Sequence, residues 1–114
     1  MPPRDWRMRI EDILDSIAAI SEYTSGMDFA GFCSDRKTID AVLRNLTVVG
    51  EAARNVPADI VARHSEIPWQ DMRDMRNVVV HVYVGVNKDI LWKTVQEDLD
   101  PVVPLLQKLL EDEG

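Results

Sequence analysis

Cysteine occurs once in this chain, at Cys33, so no internal disulfide can form and neither a Cys-x-x-Cys redox pair nor a cysteine zinc cluster is available. That scarcity fits a reducing compartment. Long apolar runs are missing too. No stretch approaches the roughly 18–20 consecutive apolar residues that span a bilayer, and the start, Met1-Pro2-Pro3-Arg4-Asp5-Trp6-Arg7, lacks the apolar centre of a secretory signal. The expectation is a cytoplasmic protein with no membrane attachment. Positive charge is also short: 13 Lys and Arg stand against 20 Asp and Glu, a formal net charge of −7. This is the wrong sign for holding nucleic acid by bulk electrostatics, so any such chemistry has to use a local basic cluster. The excess of carboxylates suits a basic partner protein, or simply solubility.

What is present is an ordinary globular balance, 46% hydrophobic and 29% charged over 114 residues. This is enough chain to bury a core but too little to divide, so one domain over residues 1–114 is expected. Ile10, Ile13, Leu14, Ile17 and Ile20 recur at three- and four-residue steps and predict a helix over roughly 5–24, stopped by Ser25-Gly26. Asp28 can cap a short turn through Phe29 and Phe32. Ile39, Val42, Leu43, Leu46, Val49 and Ala53 trace a second stripe over about 35–55, with Gly50 inside it where a close helix–helix approach would explain a residue that weakens helices.

Pro57 suits the first turn of a short helix to about His64, and Pro68-Trp69 opens another that carries Met72, Met75 and Val79. Val80 to Val86 alternates like a strand. No second such run exists to pair with it, so the spacing predicts helix to about Tyr83, ending near Gly85. Asn87 then caps a helix bearing Leu91, Val95 and Leu99, and Asp100-Pro101 acts as a fresh cap and first turn before Val102, Leu106 and Leu109. The class is all-α: an antiparallel four-helix bundle with short additional helices.

The chemistry concentrates in Arg76-Asn77-Val78-Val79-Val80-His81-Val82-Tyr83. At about 100° per residue, Arg76, Val80 and Tyr83 share one stripe, and Asn77 and His81 the adjacent one. Polar groups amid so many valines imply a cleft or a second copy, which points to a two-fold homodimer with this helix near its axis. Arginine is permanently cationic and brackets phosphate oxygens; histidine moves protons near neutrality. Together they suit phosphodiester cleavage without metal, and no cofactor is called for. Arg36, Lys37, Arg44 and Arg73 are candidate RNA contacts. Arg44 and Asn45 are alternatively, and preferably, bundle-bridging residues; Trp69 and Trp92 read as packing, and His64, near Pro57 and Glu66, has no partner set that suggests a site.

Arg76-x-x-x-x-His81-x-Tyr83 resembles the Arg-x4-His-x-Tyr motif of the HEPN superfamily, specifically its HepT-like ribonuclease toxins. Asp35-Arg36-Lys37-Thr38, Val42-Leu43-Arg44-Asn45-Leu46, Gly50-Glu51-Ala52-Ala53, Ile67-Pro68-Trp69, Met75-Arg76-Asn77 and Trp92 extend the resemblance in order along nearly the whole chain. It implies a four-helix-bundle homodimer acting as a metal-independent endoribonuclease toxin of a type VII-like toxin–antitoxin pair. Arg76 and His81 of both copies would line one composite cleft, Arg76 on the scissile phosphate and His81 as general acid or base, with Asn77 assisting. The implied partner is a minimal nucleotidyltransferase antitoxin that attaches AMP to Tyr83. Asp74 stands where a glycine is common and Asn87 where an aspartate is; Asp74, two residues from Arg76, would either order its guanidinium or repel RNA. The alternative is a non-catalytic dimeric helical scaffold that binds the transferase.

Overall fold

The computed structural model describes residues 5–83 and 88–114, with side chains for residues 5–80 and 88–114. Every regular element among them is helical: α1 (Trp6–Thr24), α2 (Phe29–Ser34), α3 (Arg36–Arg54), α4 (Ala58–Arg63), α5 (Trp69–Tyr83), α6 (Lys88–Lys93), a π-helical turn (Thr94–Asp98) and α7 (Val102–Asp112). Among the described residues no helix is long and apolar enough to cross a membrane.

Local chemistry sets the helix ends. The Asp5 carboxylate accepts from the Arg7 amide at 3.1 Å and opens α1, and Gly26 takes up the left-handed conformation just past its end (φ 76°). Asp28 accepts from Gly31 N–H at 2.7 Å, and Asp35 from Thr38 N–H at 3.1 Å, capping α2 and α3. Pro57 sits at the N-cap of α4, one place earlier than its fixed φ had suggested.

The apolar stripes meet as predicted. Ile10, Ile13, Ile17 and Ile20 of α1 face Val42, Leu46, Val49 and Ala53 of α3, and Met72 and Met75 of α5 are buried with them. Each such aliphatic side chain contributes about 1.5–3 kcal/mol on full burial. α3 packs on both α1 and α5, α6 packs on α5, and α7 packs on α1. The fourth long segment therefore crosses the bundle, from α5 at its start to α1 at its end.

That segment is interrupted, as the Asp100-Pro101 junction suggested, but the departure from α-helix starts earlier. At Thr94–Asp98 it widens to a π-turn, which keeps Leu91, Val95 and Leu99 all buried while the chain changes neighbours. Asp100 does not cap α7: Pro101 is its N-cap, without a side-chain hydrogen bond, and Val102 and Val103 amides reach back to the Leu99 and Asp100 carbonyls at 3.1 and 3.2 Å. Helix continues through Val80 to Tyr83, as expected over the strand alternative. The predicted stop near Gly85 and the Asn87 cap lie outside the described residues.

Candidate active site on the third and fifth helices

The candidate site begins with a glycine. A Cβ built on Gly50 would lie 3.4 Å from both the Arg73 carbonyl and the Arg76 amide, so α3 and α5 approach backbone to backbone here. This close crossing puts the next residue, Glu51, beside Arg76. Glu51 Oε1 accepts from Arg76 Nη1 at 2.9 Å, with both side chains about half exposed (46% and 52%). The pair is solvated and contributes little to stability, but it fixes where the guanidinium points.

Asp74, expected to act on Arg76, is turned away from it. On α5 the two positions are about 200° apart, and the Asp74 carboxylate instead accepts from Gln70 Nε2 at 2.9 Å. Glu51 fills the role for which Asp74 was a candidate. Its signal was present in the sequence: Arg44, Val48 and Glu51 repeat at four and three residues, one stripe of α3. Arg76 and Val80 form the matching stripe of α5. Val48 and Val80 are both exposed large aliphatics, Val80 at 55%, so this seam presents apolar surface beside its ion pair.

Along the same seam lies a cavity of about 740 Å³. Arg36, Asp40 and Arg44 of α3, Lys88 of α6 and Val79 of α5 line it, three cations to one carboxylate, over a floor that includes Ile39 and Leu43. Arg44 is exposed and Asn45 donates to the Ala41 carbonyl of its own helix at 2.8 Å, so neither is a bundle-bridging residue. Arg36 lies 3.9 Å from Asp40, both well exposed, and Lys88 Nζ donates to the Cys33 carbonyl at 3.2 Å. Lys88 had not been singled out. Lys37 is exposed outside this cavity, and Arg73 lines a separate hollow with Pro68 and Trp69, so the four proposed RNA contacts do not form one cluster.

Asn77 is exposed on α5, one turn before His81. His81 and Tyr83 belong to the last helical residues of α5, and their side chains lie outside the described residues. Among the described residues no group of three or more His, Cys, Asp and Glu is placed to hold a metal ion.

The other histidine, His64, is held in a cluster of charged residues that ties the chain's end to α4. His64 is buried, with Nε2 2.8 Å from Glu113 Oε2 and Nδ1 3.6 Å from Glu66. Arg63 brackets the same Glu113 carboxylate, with Nη2 at 2.8 Å and Nε at 3.2 Å, while the Glu113 carbonyl accepts from Arg7. Hydrogen bonds from Arg63 and then His64 pull the Glu113 pKa from its ordinary 4.5 down to about 2. The Trp69 indole donates to the His64 carbonyl at 3.0 Å, and Trp92 stacks at a tilt on Phe32, centroids 4.9 Å apart. Both tryptophans are packing residues, as expected.

Residues 13–109 match the model of the family described as Ribonuclease HepT-like. A protein of Thermococcus cleftensis named "Probable ribonuclease HepT" is 43% identical over 100 residues, covering 88% of this chain and 91% of its own. Two relatives bearing the name "Putative RNase" are 34% identical over 112 residues in Methanocaldococcus jannaschii (98% of this chain, 93% of the relative) and 31% over 107 residues in Caldanaerobacter subterraneus (94% and 96%). No solved structure matches the chain. The match takes in all of α3 and α5, and with them the Gly50 crossing, the Glu51–Arg76 pair and the basic cavity: the chain belongs to the HepT-like ribonuclease family.

Proposed function

We propose that this protein is a metal-independent endoribonuclease that works as a two-fold dimer. The observation that carries the reading is Arg76: an arginine on a helix face, half exposed, steered by Glu51 and set on the seam that leads to a cavity lined by Arg36, Arg44 and Lys88. A chain of net charge −7 here keeps the local basic cluster that phosphate recognition needs. Arg76 binds the scissile phosphate and stabilises the charge that builds on it. A ribose 2′-hydroxyl attacks phosphorus and the bond to the 5′ oxygen of the next nucleotide breaks. His81 serves as general base or acid for this transfer, and Asn77 adds a hydrogen bond. Exposed Val48 and Val80 on the same seam support a second copy covering this face, which brings two such sets into one cleft. The protein is the toxin of a toxin–antitoxin pair, and a nucleotidyltransferase partner silences it by attaching AMP to Tyr83, one helical stripe with Arg76, adding bulk and about one negative charge where RNA phosphate must sit.

Cleavage of RNA by the parent in EDTA, lost in Arg76→Ala and in His81→Ala at unchanged helicity and sedimentation, is the expected result. Tyr83→Phe should stay at least partly active and gain no AMP-sized mass with transferase and ATP. Cleavage that stops on chelation would sink the metal-free mechanism. A parent that binds the transferase but cuts no RNA would instead be the scaffold. A fully modified parent that still cuts would remove Tyr83 from the control.

A further inference from the structure

On the face of α5 opposite Arg76, the bundle is left open. α5 packs along α3, and α7 packs along α1, so the two helices flank a groove of about 430 Å³ where the π-turn carries the chain across. Its floor is apolar: Met72, Met75 and Val102 are almost wholly buried, and Val78 and Leu105 are half buried beside them. Its banks are acidic on both sides. Asp71 and Asp74 stand exposed on α5; Glu97 and Asp98 stand exposed on the π-turn facing them. Among the described residues no lysine, arginine or histidine lines it.

The four carboxylates follow from the helical spacing. Asp71, Asp74, Met75 and Val78 recur at three- and four-residue steps, so one stripe of α5 supplies both floor and bank. The π-turn presents its two acidic residues at the same place while Val95 stays in the core. Apolar floor with two like-charged banks is a recognition surface of one sign. Anionic lipid and nucleic acid are repelled by it. A second copy docked by two-fold symmetry would set these carboxylates against their own equivalents. Helical walls also offer no free backbone edge, so an added strand has nothing to pair with.

We propose that this groove docks a basic amphipathic helix of a partner protein, with apolar side chains at i, i+3, i+4 and i+7 in the floor and lysines or arginines on both flanks against Asp71/Asp74 and Glu97/Asp98. The volume accepts a few apolar side chains, so the bound helix lies on the groove and anchors through them. Bound there, it contacts the back of the helix that carries Arg76 and leaves the basic cavity open. The proposal stands whether or not the protein cuts RNA.

The probe is a fluorescein-labelled 18-residue peptide with a leucine stripe flanked by lysines, titrated by anisotropy with the full chain. Two controls go with it: the same composition scrambled to destroy the stripe, and the same stripe flanked by glutamates. The parent should bind the lysine-flanked helix at least tenfold more tightly than either control. Neutralising the banks (Asp71→Asn, Asp74→Asn, Glu97→Gln, Asp98→Asn) should cost tenfold or more at unchanged melting and sedimentation. Reversing them all to lysine should transfer the preference to the glutamate-flanked peptide. Equal binding of the scrambled peptide would mean that only bulk charge is being read, and overturns the proposal. So would undiminished binding by the neutralised variant, or a change in its oligomeric state, which would make the groove an interface between copies.

Discussion

The molecule contains two arginine–glutamate pairs, and they are opposites. Around Glu113, one carboxylate gathers three hydrogen bonds: Arg63, itself half exposed, binds it with two nitrogens, buried His64 adds a third, and together they pull its pKa down to about 2. Around Glu51, Arg76 spends one short hydrogen bond on the carboxylate and keeps half its side chain in solvent. The first arrangement ties α4 to the end of α7 and commits each of the three Arg63 nitrogens to a carboxylate, Glu113 or Asp59. The second aims a cation and leaves donors available, which is what a phosphate requires. An arginine held by a carboxylate is therefore a structural clamp where several of its nitrogens are committed, and it is the arrangement the proposed site rests on where most of them stay free.

The contrast breaks most visibly at His64. Truncation of this buried ring in His64→Ala removes packing and a hydrogen bond together, and a loss of about 1–3 kcal/mol in urea unfolding is expected. RNA cleavage per folded molecule should be unchanged. Lost cleavage at full folding would mean that the clamp belongs to the site.

Acid titration gives a smaller effect with a defined sign. Because the folded pKa of Glu113 is depressed from 4.5 to about 2, its contribution to stability is fully present above about pH 4.5 and is lost progressively as pH falls toward 2. Glu113→Gln should flatten that limb in melting curves taken between those values. A limb that stays as steep in the variant would assign the acid sensitivity to other carboxylates.

Glu51→Gln sharpens the other half of the comparison and should move stability least, by under about 1 kcal/mol, since the pair is exposed. Its effect belongs in turnover. With Arg76 no longer steered, kcat should fall several-fold while the pH profile of cleavage keeps its shape. Glu51→Ala should fall further, because glutamine still offers an acceptor. Equal rates for parent and Glu51→Ala would show that Arg76 finds its place unaided.

The helices were legible because each carries its own instructions. The isoleucine stripe of α1, the Asp28 cap and the Gly26 stop act within a few residues of themselves, and the structure follows them. The Val80–Tyr83 alternation was readable only by asking what else it could pair with, a question about the whole chain. In the fourth segment, local spacing placed a break at Asp100-Pro101 but not the π-turn at Thr94–Asp98, where the packing passes from α5 to α1.

For the proposed site, the sequence by itself supplied the candidate residues: Arg76, Asn77 and His81 on adjacent stripes of one helix, with Tyr83 beyond them. Only the tertiary structure decided which charges meet. It paired Arg76 with Glu51, 25 positions away, and not with Asp74, two positions away. It also gave His64 a partner 49 positions on. Periodicity fixes the direction in which a side chain leaves its own helix, but the neighbour it meets there depends on how closely two helices cross. In this chain that distance is set by a glycine without a Cβ, Gly50.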